Sequence, residues 1–116
     1  MVRSNFVLAY AAGIIDGEGS ISITKQKEYT SHLRDGSLGG KGFYYASRVC
    51  VVMRDSKIPD FLYDNFGGYK SSYESKGDGY RIYRWTIGNI KAKEFCKLIY
   101  KFLITKKKQA AILIEF

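Results

Sequence analysis

"AAGIIDGEGS", residues 11–20, joins a helical pattern to a strand pattern through two glycines and two acids. Upstream, Ser4 is placed as the N-cap of a helix over 5–15. Its apolar residues fall on more than one face, which predicts a largely buried helix. Ala9, Ala12, Gly13 and Asp16 follow i, i+3, i+4, i+7 spacing, and the first three are small. A row of small residues lets a second backbone approach closely, so these three are candidates for a helix–helix interface. Downstream, "SISITKQK", residues 20–27, sets Ile21 and Ile23 against Ser22, Thr24 and Gln26. That alternation predicts a half-buried strand with one solvent or ligand face. An acid-glycine helix end alone has a simple reading: Gly17 as a C-cap and Asp16 bonding locally. Here it leads directly into a half-polar strand.

The 116 residues suffice for a single domain, 1–116, with a modest core. At 46% hydrophobic and 26% charged, the chain is a folded protein and not a disordered tail. Its longest apolar run is too short to span a bilayer and lacks the flanks of a signal peptide. Cys50 and Cys96 have no metal-like spacing, which predicts reduced core thiols in an intracellular protein, cytoplasmic or in an organellar matrix and not secreted. The lone His32 has no partner type nearby in sequence. Nineteen Lys and Arg against eleven Asp and Glu give a net charge of +8, and together with ten tyrosines this predicts a nucleic-acid partner and not a membrane surface.

After a polar, glycine-containing loop over 28–42, "FYYASRVCVVMR" (43–54) reads as the hairpin partner of the first strand. Its register is open: Val49, Val51 and Met53 compete with Cys50 and Val52 for the core. "SKIPDFLYDNFGG" (56–68) predicts a short helix with Pro59 in its first turn and Gly67 at its end. A second hairpin turns at "KGDG" (76–79), with Tyr83, Trp85 and Ile87 on one face and Ile82, Arg84 and Thr86 on the other. Helices over 90–103 and from about residue 105 complete an α-β-β-α-β-β-α-α order, an α+β fold.

"AAGIIDGEG", residues 11–19, resembles the nine-residue signature of the LAGLIDADG homing endonucleases, with Ala11 for the leading leucine and Glu18 for the final aspartate. The resemblance extends over nearly the whole chain and implies the αββαββα layout: a four-stranded antiparallel DNA-binding sheet with helices on one side. It implies a site-specific double-strand DNA endonuclease that hydrolyses phosphodiester bonds, active in intron mobility. Two motif helices then pack about a two-fold axis and each delivers one acid. Glu18 is implied as the catalytic metal ligand, assisted by the Gly17 carbonyl, with Mg²⁺ or another divalent cation such as Mn²⁺. Carboxylate and carbonyl oxygens suit such hard cations. Lys106, in "FLITKKKQAAILI", is implied as a catalytic lysine, and Arg54 as an active-site residue at the end of the second strand, with Lys57 a lesser candidate. Asp16 is implied to tune or brace the site. No organic cofactor is implied.

One motif copy in the chain implies a homodimer on a long pseudo-palindromic target. The candidate DNA-reading residues are Ser22, Thr24, Gln26 and Arg48 on the first hairpin and Tyr69, Ser71, Tyr73, Arg84 and Thr86 on the second. An eight-residue strand spans ~26 Å, roughly eight base pairs. The alternative is a non-cleaving DNA-binding protein or an RNA maturase of the same fold.

Overall fold

The computed structural model describes residues 4–27 and 43–116, with backbone alone at 26, 27, 43 and 44. The predicted loop over 28–42, with His32, lies outside the described residues. Ser4 caps helix α1 (Asn5–Glu18), its hydroxyl accepting the Val7 N–H at 3.3 Å. The helix runs three residues beyond its predicted end at Ile15. Glycine is a poor helix former, yet Gly17 is helical because the chain is held on both sides of it. The Gly19 N–H donates to the Ile15 carbonyl, and Asp16 is anchored as described below. Against the expectation of a largely buried helix, only Leu8, Ala11, Ala12 and Ile15 are buried. Phe6 is 86% exposed and Tyr10 51%.

Strands β1 (Gly19–Lys27), β2 (Phe43–Met53), β3 (Tyr69–Glu74) and β4 (Arg81–Gly88) form one antiparallel sheet in the order β1-β2-β4-β3. The two predicted hairpins are thus joined by β2 against β4, with helix α2 (Lys57–Phe66) connecting them. The open register resolves to one answer. Val49 pairs with Ile21 and Ile87, and Val51 with Gly19 and Trp85. Both valines and Trp85 are fully buried, while Val52 is exposed and Cys50 half-buried on the opposite face. Residues paired across an antiparallel ladder share a face, so the large apolar residues of β4 draw Val49 and Val51 inward.

Helix α3 (Asn89–Ile99) and a 3-10 turn (Tyr100–Phe102) replace the single helix predicted over 90–103. Helix α4 (Lys107–Glu115) follows. Buried residues from all four helices join Val49, Val51, Trp85 and Ile87 in one hydrophobic cluster. The helices therefore cover one sheet face and, among the described residues, leave the other open. Trp85 locks the layers together. Its Nε1 donates to the Gly67 carbonyl at 2.7 Å, and its ring meets Phe95 edge-on at 5.3 Å. Gly68, at φ 95°, is obligatory there: a Cβ would lie 2.6 Å from the Thr86 carbonyl oxygen. Among the described residues, no helix is long and apolar enough to cross a membrane.

Candidate functional site

The last turn of α1 passes into β1 with no intervening residue. Gly19 makes this possible through closeness and not through unusual torsion. Its backbone is extended (φ −86°, ψ 164°), but a Cβ would sit 2.8 Å from the Ile15 Cα. The abrupt exit leaves Glu18 exposed, with no ion pair or hydrogen bond among the described residues. The last four carbonyls of a helix lack helical partners. Ile15 gives its carbonyl to the Gly19 N–H and Asp16 gives its own to Lys106 Nζ. The Gly17 carbonyl has no such partner among the described residues and directly precedes Glu18 in sequence.

Asp16 points the other way. Its Oδ2 accepts the Ile104 N–H at 2.8 Å, and its Oδ1 accepts those of Thr105 at 3.1 Å and Lys106 at 2.9 Å. These donors lie in the bend that leads into α4, so the carboxylate fixes the entry to that helix from a distant part of the chain. In return Lys106 Nζ donates to the Asp16 carbonyl at 2.8 Å. The two acids of the motif therefore divide: Asp16 is bound into the frame, and Glu18 has no partner among the described residues.

Arg54 follows β2 at the end of the sheet where Gly19 pairs with Val51. It is not free. Its Nη2 donates to Asp78 Oδ2 at 3.0 Å, and its Cζ lies 4.4 Å from the centre of the Tyr80 ring. Asp78 and Tyr80 lie in and after the "KGDG" turn, which the sequence marks only as a turn. Lys57 begins α2, its N–H donating to Asp55 Oδ1 at 2.7 Å, and its side chain is exposed.

The ladder gathers the predicted reading residues on the open face. Ser22 pairs with Arg48, and Thr24 with Ala46. Cys50 pairs with Thr86, which pairs with Tyr69. Val52 pairs with Arg84, which pairs with Ser71, and Tyr73 pairs with Ile82. Thr86 Oγ1 donates to Cys50 Sγ at 3.8 Å, and the Arg84 guanidinium lies 5.7 Å from the centre of the Tyr73 ring. Gln26 keeps this face by register, but its side chain lies outside the described residues. The sequence reading missed Ser20, Ala46, Cys50 and Val52, which share the face: Ser20 sits at the helix–strand junction, and the other three carry no charge or amide to mark them.

A sequence profile described as LAGLIDADG endonuclease matches residues 11–115. The chain belongs to the LAGLIDADG endonuclease family. Among curated proteins, no sequence matches significantly. Among solved structures, the homing endonuclease I-CvuI, bound to a DNA target with Mg present and the DNA uncleaved, aligns with a TM-score of 0.70 at 14% identity. That alignment covers 95% of this chain and 64% of that one. The archaeal intron-encoded I-Vdi141I, complexed with DNA, gives 0.67 at 19% identity, covering 97% and 67%. The group I intron-encoded I-CeuI, also complexed with DNA, gives 0.63 at 18%, covering 99% and 56%. At these identities the likeness is one of fold. The chain spans less than two thirds of the length of I-CvuI.

For this family member the metal question turns on donor chemistry. No group of three His, Cys, Asp or Glu side chains gathers among the described residues. A free carboxylate beside a carbonyl is a partial set of hard oxygen donors. It fits Mg²⁺, which keeps several waters and takes other ligands from substrate phosphate. On α1, the exposed small residues are Ala9, Gly13 and Gly17, one row at i, i+4, i+8, and Cβ positions at both glycines meet nothing within 4 Å. Ala12, by contrast, is fully buried in the chain's own core.

Proposed function

We propose that residues 1–116 act as one metal-dependent, site-specific double-strand DNA endonuclease domain. In this reading it hydrolyses phosphodiester bonds as a homodimer on a long pseudo-palindromic target and serves intron mobility. One observation carries the reading: the free Glu18 carboxylate stands at the end of a helix that also tethers Lys106 through Asp16. An exposed acid is unfavourable for a protein that only binds a polyanion, and becomes useful when it holds a cation against phosphate.

Glu18 and the Gly17 carbonyl would hold Mg²⁺ or Mn²⁺, which when bound neutralises charge on the phosphate and lowers the pKa of attacking water. Lys106 uses one ammonium N–H on Asp16 and keeps its others for phosphate oxygens, where its charge stabilises the developing negative charge. Arg54 would meet the phosphate from the end of β2, with Lys57 nearby in sequence as a weaker contributor. On the open face, Arg48 and Arg84 suit guanine and Gln26 suits adenine, while Ser22, Thr24, Ser71, Thr86, Tyr69 and Tyr73 supply single hydrogen bonds or phosphate contacts.

A single motif helix supplies one acid, so two chains make one cleavage centre, with Ala9 and Gly13 at the helix–helix contact and Ala12 packed behind them. The test is Glu18→Gln, assayed on a randomised DNA library with Mg²⁺. Specific binding should persist and cleavage should disappear. Full cleavage by the variant overturns the role of Glu18. A wild-type chain that binds specifically without cutting overturns the enzyme reading in favour of a binding protein or maturase. Sedimentation with full-length target reads the dimer: a lone chain occupying the whole site refutes it.

A further inference from the structure

The turn between β3 and β4 closes around Arg54 in a cluster of contacts that stability does not explain. Asp78 Oδ1 accepts the Tyr80 N–H at 3.1 Å, while Asp78 Oδ2 faces Arg54 Nη2 at 3.0 Å. The Tyr80 ring lies under the guanidinium at 4.4 Å, and the Ser75 N–H closes the turn on the Tyr80 carbonyl at 2.7 Å. Positive φ at Gly77 (104°) and Gly79 (72°) shapes the turn so that Asp78 is presented between them. The Tyr80 N–H holds the Asp78 carboxyl below the usual carboxylate range.

The Arg54 and Asp78 side chains are 62% and 40% exposed, and exposed ion pairs contribute little to stability. An aspartate at a sheet end near a polyanion also weakens binding by repulsion. Both costs make sense when the target of the cluster is Arg54 itself. Arginine carries large rotamer freedom, which is lost whenever it engages a phosphate. Fixing the guanidinium beforehand removes that loss from the reaction step, and one hydrogen bond to Asp78 leaves most of its five N–H donors for substrate.

We propose that Asp78 and Tyr80 are positioning residues that hold Arg54 in one orientation for the scissile phosphate before DNA arrives. The proposal rests on the cleavage reading above. Three variants test it: Asp78→Asn, Tyr80→Leu and Tyr80→Phe. Single-turnover cleavage should fall about tenfold in the first two. DNA affinity should stay within about threefold, or tighten in Asp78→Asn because a negative charge is removed. Tyr80→Phe keeps both the ring and the N–H and should cleave at the wild-type rate.

Nitrogen–proton NMR of the Arg54 guanidinium, without DNA, reads the restraint independently of activity. Separate, slowly exchanging Nη–H signals are expected in wild type and averaged ones in Asp78→Asn. Averaged signals in wild type overturn the proposal. So does wild-type cleavage by Asp78→Asn, a loss confined to DNA affinity, or a Tyr80→Phe defect equal to Tyr80→Leu. If the wild-type chain cuts no DNA, the cleavage reading falls and takes the positioning role with it. If wild type cuts and Asp78→Asn cuts equally well, the positioning role falls alone.

Discussion

Lys106 is joined to Asp16 twice: its backbone N–H donates to Asp16 Oδ1 at 2.9 Å, and its Nζ donates to the Asp16 carbonyl at 2.8 Å. The first motif acid thus sets the lysine beside the helix end that presents the second. It also holds the bend that leads into α4, where Lys106 at the cap position makes no capping hydrogen bond with its own side chain.

Replacing Asp16 should separate frame from chemistry. Asp16→Ala leaves three backbone N–H groups without their acceptor and should cost about 2 kcal/mol, in the range for lost hydrogen bonds to a charged group. Thermal unfolding should shift down by several degrees. Single-turnover cleavage should fall as well, because the Lys106 backbone loses its anchor even though the Asp16 carbonyl still accepts from Nζ. Asp16→Asn retains one acceptor oxygen and should lie between. An unchanged unfolding midpoint in Asp16→Ala would refute the bracing role.

Two motif-region glycines should respond in opposite ways. Gly19→Ala drives a methyl to 2.8 Å from the Ile15 Cα, backbone that cannot yield, and should destabilise the chain by roughly 1–3 kcal/mol. Gly13→Ala meets nothing in one chain and should stabilise an isolated protomer by up to about 1 kcal/mol. If α1 packs against its twin, the same methyl should weaken the dimer. Denaturant unfolding and sedimentation equilibrium, run on both variants, separate these effects.

On the open face, Arg48→Ala and Arg84→Ala should each weaken binding to the preferred target by about 1–3 kcal/mol. The loss should be confined to one or two base-pair positions per variant. Selection from a randomised library reads this directly. A uniform loss across all sequences would reassign the side chain to the phosphate backbone.

The two thiols should differ in reactivity. Burial pushes the Cys96 thiol up to about 11, whereas Cys50 lies half-buried on the open face. At pH 8 an alkylating reagent should modify the native chain at Cys50 alone, and Cys96 only after denaturation. The folded chain holds its Cys96 proton more tightly than the unfolded one does. The Cys96 contribution to stability is therefore fully present below the unfolded pKa of 9.0 and fades as pH rises from there to about 11. Denaturant titrations at pH 8 and pH 10.5 check the sign. With DNA bound, alkylation of Cys50 should be slower if the open face is the binding face.

Particular residues show how far the sequence reaches. The α-β-β-α-β-β-α-α order is legible because each element carries its own local signal: Ser4 and Gly67 at helix ends, alternation in 20–27, glycines in the second turn. The 90–103 prediction misses the break at Tyr100, because a 3-10 turn retains nearly the same short-range pattern as an α-helix. The predicted stop at Ile15 misses Gly17 as a helical residue, because local propensity there is overruled by anchoring elsewhere.

From the sequence alone came the motif, its two acids and the set of polar residues that could share a sheet face, since both 3.6- and 2-residue periods are written in neighbouring positions. Tertiary structure alone decided the inward register of Val49 and Val51, the strand order β1-β2-β4-β3, the engagement of Asp16 and the partners of Arg54. These rest on groups far apart along the chain, 90 residues for Asp16 and Lys106 and 24 for Arg54 and Asp78. No local period encodes such a distance. It is set when burial of Trp85, Ile15 and their neighbours brings the helix end, the sheet end and the start of α4 into contact.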